Sequence, residues 1–250
     1  MDDDDITEVV KRAPILDALR DEPQDANRLE ERLAFSRSTI HRATNHLADL
    51  GLIRKREGRF ELTAFGRLVG GRLVDFRRDL DTADRLSPFL DAVEGTVELP
   101  LDGLAEAEVS GPERGRAHVA VKRISDLMAG SESLRTFSGV VSPIYVDICC
   151  REAKAGARVR AVFDRRVVDV LFNEYAADYR EAIEQGELEV RIHDDCPFEL
   201  FLFDDRVGMT AHDDAGQVTQ FVESDDPSVY EWAEGLFERY RSEAEFATVF

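Results

Sequence analysis

The stretch SRSTIHRATNHLADLGLIRKREGRFELT, residues 36–63, decides the fold of the amino-terminal part of this chain. Ser36 is a favoured helix N-cap, and Ile40 and Leu47 then recur on one side of a helix that Gly51 is expected to end. The opposite side of this helix carries serine, histidine, arginine and asparagine. The stretch therefore predicts a helix with one apolar side that packs in a core and one polar side that stays free.

A basic β-hairpin is predicted directly after this helix. Residues 52–56 and 59–63 have the composition of strands, and a Glu-Gly pair stands between them in the place of a tight turn. Upstream, apolar residues at helical spacing predict one helix over residues 6–19 and another over residues 26–33. The order helix, helix, N-capped helix and basic hairpin is that of a winged helix-turn-helix.

Positive charge is concentrated in the same part of the chain. The 250 residues include 32 Lys and Arg and 52 Asp and Glu, a formal net charge of −20, whereas residues 32–72 hold nine basic and three acidic residues. A basic island on an acidic protein is typical of a nucleic-acid footprint, and Arg and Asn can each form two hydrogen bonds with a base. The sequence therefore predicts binding of double-stranded DNA, and a protein-interaction winged helix is the alternative. The predicted DNA-binding residues are Ser36, Arg37, Ser38, Thr39, His41, Arg42, Asn45, Arg54, Lys55, Arg56 and Arg59.

Composition and the first residues predict a cytoplasmic protein with no membrane partner. The longest apolar runs are far shorter than the ~20 residues that cross a bilayer, and residues 2–5 are all aspartate, the opposite of the basic start of a secretory signal. Cys149, Cys150 and Cys196 have no metal-ligand spacing, so we interpret them as buried apolar groups, with a redox switch as the alternative. Neither a metal nor a cofactor is expected. An acidic composition with four lysines against 28 arginines is typical of halophilic archaea.

The chain is predicted to have an α+β fold. A winged helix-turn-helix DNA-binding domain occupies residues 1–63, and residues 64–93 form a connector helix whose apolar 4-3 repeat fits either core packing or the seam of a homodimer. Residues 94–116 are predicted to be a linker with little regular structure. Residues 117–250 alternate between helix and strand patterns, which predicts an α/β regulatory domain with a mixed sheet. The apolar repeat of the connector consists of Val69, Leu73, Phe76, Leu80, Ala83 and Leu90.

Polar residues at the ends of the predicted strands mark a candidate effector site. Because the carboxyl ends of parallel strands meet at one edge of a sheet, the residues that follow them are expected to line a common pocket. A helix that begins near Ser142 would offer free backbone N–H groups to an anion. His193 with Asp194 and Asp195 has donor atoms for a metal, but strand-end residues of this kind are more often solvated. The predicted effector-binding residues are Ser138, Gly139, Ser142, Tyr145, Asp164, Arg165, His193, Glu199 and Arg206.

Both halves of the chain resemble one family. Residues 36–43 together with residues 62–66 resemble archaeal winged-helix regulators. The carboxy-terminal part resembles the regulatory domain of methanogenesis-regulator-like proteins, which are widespread in haloarchaea. The resemblance lies in residues 137–145, 162–164, 193–198 and 203–208. The resemblance implies a transcription factor with a carboxy-terminal effector domain, and that domain is similar in layout to the phospholipase-D-like sensor domains of sugar-responsive archaeal regulators.

The resemblance to phospholipase D does not extend to its catalytic residues. That signature places a nucleophilic His first, a Lys two residues later and an Asp seven residues after the His, and the matching positions here hold Pro197, Glu199 and Asp204. Without an attacking group, phosphoryl transfer is not expected, and no catalytic residue is predicted. The favoured function is a dimeric transcription regulator whose DNA binding responds to a small effector, with an anion such as a sugar phosphate or an organic acid expected. The alternative is a winged-helix protein whose carboxy-terminal domain is an enzyme or a protein-interaction module.

Overall fold

The computed structural model describes residues 1–93, 97–112, 116, 118–184, 187–213 and 215–247 of the chain. Helices and a mixed β-sheet make up the structure, which confirms the predicted α+β class. The chain divides into two compact units, an amino-terminal unit, Met1–Asp81, and a carboxy-terminal unit, Thr82–Phe250.

The amino-terminal unit consists of helices and one two-stranded hairpin. The turn of the hairpin places Glu57 and Gly58 at φ angles of 52° and 82°. Positive φ at both central residues is the geometry of a tight two-residue hairpin turn, as predicted. The elements are α1 (Asp3–Lys11), α2 (Ala13–Ala18), α3 (Ala26–Leu33), α4 (Arg37–Asp49), β1 (Ile53–Arg56), β2 (Arg59–Leu62) and α5 (Ala64–Arg85), whose last residues belong to the carboxy-terminal unit.

The single helix predicted over residues 6–19 is wrong, because this segment forms two helices. α1 ends at Lys11, and α2 begins at Ala13 with Pro14 in its first turn. Proline has no amide hydrogen, so it fits the first turn of a helix. In the interior of a helix it would remove a backbone hydrogen bond. The helix is therefore interrupted at Arg12, whose φ of −101° and ψ of 6° are not those of an α-helix.

α4 has both the predicted cap and the predicted apolar side. The Oγ of Ser36 accepts a hydrogen bond from the backbone N–H of Thr39 at 3.2 Å. Ile40 and Leu47 are fully buried in the core of the amino-terminal unit, and Gly51 follows the helix at a φ of 74°. The core therefore holds one side of α4 and leaves the other side to solvent.

Thr63 and Gly66 determine where α5 begins. The hydroxyl of Thr63 donates to the carbonyl of Gly51 at 2.7 Å and accepts a hydrogen bond from the backbone N–H of Gly66 at 2.9 Å. A Cβ built on Gly66 would lie 1.8 Å from the carbonyl oxygen of Leu52. Only glycine allows this close approach, and it brings the first turn of α5 against the chain that enters the hairpin.

The carboxy-terminal unit is built on one eight-stranded mixed sheet. Its strand order is β10-β6-β5-β4-β7-β8-β9-β3, with β4, β5 and β6 parallel to one another and the other pairs antiparallel. The elements are α6 (Ser87–Val93), β3 (Glu108–Ser110), α7 (Val119–Ala129), β4 (Ser133–Ser138), α8 (Pro143–Lys154), β5 (Arg158–Asp164), α9 (Arg165–Glu174), α10 (Ala176–Glu184), β6 (Leu188–His193), β7 (Glu199–Leu202), β8 (Val207–His212), β9 (Val218–Ser224), α11 (Pro227–Glu243) and β10 (Glu245–Phe246).

Helices cover both faces of this sheet. α7, α8, α9 and α10 pack on one face, where β7 contributes Phe201, and α6 and α11 pack on the other face, where β7 contributes Leu200 and Leu202. Successive residues of a strand point to opposite faces of the sheet, so β7 supplies side chains to both cores. This central strand begins at Glu199, a residue that is buried despite its carboxylate.

Part of the predicted linker, residues 94–116, belongs instead to the core of the carboxy-terminal unit. β3 pairs with β9 at the edge of the sheet, and Leu104 and Ala107 are buried. The guanidinium of Arg85 donates to the carbonyl oxygens of Leu104 and Ala105, both at 2.8 Å. A strand of three residues gives too short an alternation to stand out from the sequence, which is why it was not predicted.

A buried carboxylate joins α7, β8 and β9. Glu223 is 5% exposed and accepts hydrogen bonds from Arg123 Nε at 2.7 Å, from Arg123 Nη2 at 2.6 Å and from Arg206. Burial raises the pKa of Glu223, but the hydrogen bonds from the two guanidinium groups outweigh it and hold the pKa below its ordinary value. A carboxyl with a lowered pKa stabilises the fold at neutral pH, and this contribution is lost as the pH falls through the folded-state pKa.

We expect the substitution Glu223→Gln to lower the free energy of unfolding by about 2 kcal/mol near neutral pH, because hydrogen bonds to a charged group are lost. The difference from the wild type should shrink as the pH falls below 4.5, the ordinary pKa of a Glu carboxyl, and through the lower folded-state pKa, because the unfolded and then the folded wild type take up the proton. Urea unfolding followed by the fluorescence of Trp232, the single tryptophan, reports on this unit. Asp126→Asn, which removes one partner of the exposed Lys122–Asp126 pair, is the control and should cost far less. An equal loss for both variants at every pH would contradict the prediction.

Candidate nucleic-acid interface and effector site

The free side of α4 presents four polar side chains to solvent. Ser38, His41, Arg42 and Asn45 are all exposed, whereas Thr44 on the opposite side is buried. Asn45 Nδ2 and His41 Nδ1 lie 3.3 Å apart, so these two side chains hold each other along the helix. The structure thus brings together, on one face, the residues predicted to reach base edges.

The start of α4 is shaped by its capping group. Ser36 Oγ lies 3.0 Å from Ser38 Oγ and 2.8 Å from Thr39 Oγ1, in addition to capping the helix. The hydroxyl of Ser36 is therefore occupied within the chain. Arg37 is exposed, with its Nε 4.0 Å from Glu30 Oε1.

The hairpin carries four exposed cationic side chains. Arg54, Lys55, Arg56 and Arg59 are all exposed, and Arg54 Nε donates to Glu61 Oε1 at 2.6 Å across the strands. Arg56 stands directly opposite Arg59 in the register. Like charges that face each other across two strands repel, and an anion between them relieves the repulsion. This end of the hairpin can therefore bind a phosphate group.

The ends of the parallel strands meet at one edge of the sheet, as predicted. Ser138 stands at the level of Phe163, and Asp164 stands at the level of His193. The carboxylate of Asp164 accepts a hydrogen bond from the backbone N–H of Arg166 at 2.8 Å and caps α9. The carboxylate of Asp164 at this edge therefore stabilises the start of α9.

His193 and Arg165 are likewise held by local partners. His193 Nδ1 lies 2.7 Å from Asp195 O, and its Nε2 lies 3.5 Å from Glu243 Oε2. Arg165 Nη2 lies 3.6 Å from Asp194 Oδ1 at the surface. These side chains are close to the predicted edge, but their polar atoms already contact the loop after β6 and the end of α11.

A buried polar group at the same edge involves Ser138, Glu199 and His212. Ser138 Oγ donates to Glu199 Oε1 at 2.9 Å, and His212 Nε2 lies 3.2 Å from Glu199 Oε2. His212 was not among the predicted site residues. No signal in the sequence alone marks His212. In the structure Thr210 stands opposite Glu199, and His212 follows two residues later in β8.

Tyr145, Ser142 and Gly139 complete this edge. Tyr145 is buried, and burial together with the charge of Glu199 raises the pKa of its hydroxyl. Ser142 is the N-cap residue of α8. A Cβ on Gly139 would lie 2.7 Å from the carbonyl oxygen of Cys196, so this position favours glycine.

The prediction that Arg206 belongs to this site is wrong. Arg206 precedes β8, which runs antiparallel to β7, and so it lies at the opposite edge of the sheet from Ser138. Its guanidinium bonds to Glu223 and Asp205, and those bonds raise its pKa. Arg206 is part of the ion-pair cluster that joins β8 and β9.

The three cysteines are buried thiols without a disulfide. Burial raises the pKa of Cys149 to about 12 and, chiefly for the same reason, the pKa of Cys196 to about 12. A thiol with so high a pKa is almost never a thiolate at neutral pH, which supports the interpretation as apolar packing groups. Across the described residues, no helix is long and apolar enough to span a membrane.

Comparison with known proteins places these features in a family. The sequence profile of the methanogenesis regulatory protein FilR1, middle domain, matches residues 117–243, and the profile of the HVO_A0261 N-terminal domain matches residues 1–85. No curated protein matches the chain.

Two solved structures illustrate the more distant similarity. TrmBL2, described as an archaeal chromatin protein with a novel mode of DNA binding, is 13% identical with a TM-score of 0.46, over 95% of this chain and 93% of its own. NucT from Helicobacter pylori is 9% identical with a TM-score of 0.44, over 57% of this chain and 100% of its own. The profile match is the more informative result, since it spans just over half of the 250 residues. The chain belongs to the family of regulatory proteins defined by the FilR1 middle domain.

Proposed function

We propose that the chain is a sequence-specific, DNA-binding transcription regulator. The observation that carries the proposal is the exposed face of α4, which presents Ser38, His41, Arg42 and Asn45, in a helix that is followed after three residues by a basic hairpin in the same unit. A helix of this kind enters the major groove, where Arg recognises guanine and Asn recognises adenine. Arg42 and Asn45 are three positions apart and lie on neighbouring turns, so they can contact neighbouring bases.

The hairpin supplies contacts to the DNA backbone. Lys55, Arg56 and Arg59 bind phosphates without reading sequence, and they fix the register of α4 on the duplex. The rest of the protein is acidic and repels the phosphates of DNA, so DNA is expected to bind only at this basic surface. In molar salt the gain from released counterions is small, and base contacts must then supply more of the affinity.

The test of this function is selection of DNA sequences by the full chain. A random duplex pool is bound at about 0.5 M KCl, where non-specific binding is weak, and the retained fraction is sequenced. The proposal predicts one enriched motif with adjacent G·C and A·T pairs. Retention of DNA without any enriched motif would support a sequence-independent binder instead, and no retention at all would favour the protein-interaction alternative.

The apolar side of α5 supports a homodimer. Phe65, Leu68, Phe76 and Leu80 are 46%, 65%, 50% and 52% exposed, and their spacing puts them on one face of the helix. Two residues of the predicted apolar repeat, Val69 and Leu73, are not available to a dimer seam, because they pack on the core of the amino-terminal unit. A second copy that covers this stripe would bring two copies of α4 to two half-sites on the DNA. In this proposal residues 1–63 bind DNA, residues 64–93 connect and dimerise, and residues 117–250 sense the effector.

The double substitution Phe76→Glu and Leu80→Glu should convert the dimer to monomers, because two carboxylates would face two others across the seam. Sedimentation velocity over a range of protein concentrations measures the result. Ile144→Glu, which adds a carboxylate to another apolar side chain that is 52% exposed, is the control and should leave the dimer intact. If the wild type sediments as a monomer at every concentration, α5 does not dimerise.

We further propose that the carboxy-terminal unit binds a small effector and does not catalyse a reaction. The positions that hold the nucleophilic His and the Lys of phospholipase D carry Pro197 and Glu199 in this chain, so the attacking group of that chemistry is absent. A pocket without a nucleophile is suited to sensing. An effector that prefers one arrangement of the dimer by about 1–3 kcal/mol would change operator affinity by about 5- to 150-fold.

A further inference from the structure

A small, partly enclosed cavity lies between α8, α9 and one face of the sheet in the carboxy-terminal unit. Its volume is about 30 Å³, and apolar side chains such as Val146, Phe163 and Leu171 form most of its wall. Residues 140–142, in the loop between β4 and α8, line the cavity as well. A space of this size holds one or two water molecules, or the head group of a small organic molecule.

Three polar atoms in the cavity wall have no hydrogen-bond partner in the part of the chain that the structure describes. They are Thr136 Oγ1, Tyr145 OH and Glu199 Oε2, on residues that are 3%, 8% and 3% exposed. His212 Nε2 lies 3.2 Å from Glu199 Oε2, but this contact does not satisfy hydrogen-bond geometry. Buried polar groups are almost always paired, and three unpaired ones around a single cavity call for a bound molecule that supplies the partners.

The charged group in the cavity wall indicates which class of molecule the cavity can bind. Glu199 can only accept hydrogen bonds as a carboxylate, and neither Lys nor Arg is among the described residues that line the cavity. An anion would meet the Glu199 carboxylate in a poorly hydrated space, where two negative charges repel each other. An ammonium group would form a charge-assisted hydrogen bond with Glu199, while Thr136 and Tyr145 could bind a neighbouring hydroxyl.

We propose that the effector held in this cavity is a small primary amine with a short apolar chain, bound through its ammonium group to Glu199. This inference rests on the proposed function, because it names the chemical class of the effector. It replaces the expectation of an anionic effector, which came from the helix that begins near Ser142.

Three probes of equal chain length test the class. The full chain is heated with n-propylamine, n-propanol or propionate at the same concentration and pH, and unfolding is followed by Trp232 fluorescence. The amine is expected to raise the melting temperature most, the alcohol less and the carboxylate not at all. Calorimetric titration should give at least a tenfold higher affinity for the amine than for propionate. Equal shifts for all three probes, or none for the amine, would overturn the proposal.

Two conservative variants localise the binding. Glu199→Gln should lower the affinity for propylamine about tenfold and bring it close to that for propanol, because the charge is lost and the shape is kept. Tyr145→Phe removes only an unpaired hydroxyl, so its melting temperature without probe should equal or exceed that of the wild type. A large destabilisation by Tyr145→Phe, with unchanged amine binding, would assign the cavity to structural water instead.

The two proposals fail separately. Amine binding is measured without DNA, and operator affinity is then compared with and without propylamine. Amine binding with no effect on operator affinity would support the cavity site and contradict its role as effector site. Absence of operator binding in any condition would contradict the proposed regulator and leave the amine measurement unaffected.

Discussion

Replacing Arg42 and Asn45 together with alanine is expected to lower the affinity of the full chain for its selected operator about 100-fold or more. Each paired contact between such a side chain and a base contributes about 1–3 kcal/mol of discrimination, and both side chains lie on the exposed face of α4. Their removal leaves the core untouched, because Ile40 and Leu47 hold the helix from the other side. The protein should therefore remain folded and lose its recognition of sequence.

The single substitutions separate sequence reading from charge. Asn45→Ala should reduce the ratio of operator to scrambled-DNA affinity and leave the dependence on salt unchanged, since no charge is lost. Arg42→Ala should reduce both the ratio and, slightly, the salt dependence. Arg158→Ala removes an exposed arginine of the carboxy-terminal unit and serves as the control. Fluorescence anisotropy with labelled duplexes measures each affinity, and an equal loss on operator and scrambled DNA would argue against base recognition by α4.

Gly66→Ala is expected to destabilise the amino-terminal unit by about 3 kcal/mol or more. The new methyl group would lie 1.8 Å from the carbonyl oxygen of Leu52, which cannot move freely because it accepts a hydrogen bond from the backbone N–H of Thr63 at 3.0 Å. Relief of the clash must either break this bond or shift the start of α5, and both routes disturb the hairpin. Operator binding should weaken as a consequence.

Gly71→Ala provides the matched control within the same helix. A Cβ at Gly71 meets no atom within 4 Å, and alanine stabilises the interior of a helix by about 0.5–1 kcal/mol relative to glycine. Native-state hydrogen exchange of the amides of α4 and the hairpin, in the full chain, measures the opening free energy of this unit alone. Faster exchange in Gly66→Ala and equal or slower exchange in Gly71→Ala is the expected result. Similar behaviour of the two variants would show that the close approach to Leu52 does not matter.

Local signals predicted the amino-terminal unit well. The Ser36 cap, the apolar side of α4 and the Glu-Gly turn depend on residues close together in the chain, and all three are found. Pro14 was the exception, since the apolar spacing continues across it and hides the break between α1 and α2. The predicted DNA-binding residues stay a prediction, although the structure exposes most of them on α4 and the hairpin.

The grouping of the candidate effector-site residues was predicted only in part, because it depends on strand pairing. Ser138, Tyr145 and Glu199 do come together, as the rule for parallel strand ends anticipates. Arg206 was misplaced because the direction of β8 is not evident from its own residues. His212 and Thr136 were missed because their faces of the sheet follow from pairing with β7.

The burial of all three cysteines has a practical consequence for measurements on the proposed dimer. Maleimide reagents react with thiolates at the surface, so the native thiols should remain unmodified in the folded protein. A single cysteine introduced at the exposed Asp49, at the end of α4, can therefore carry a spin label without prior removal of any native residue. The spacing between the two labels then reports directly on the separation of half-sites that the regulator can span.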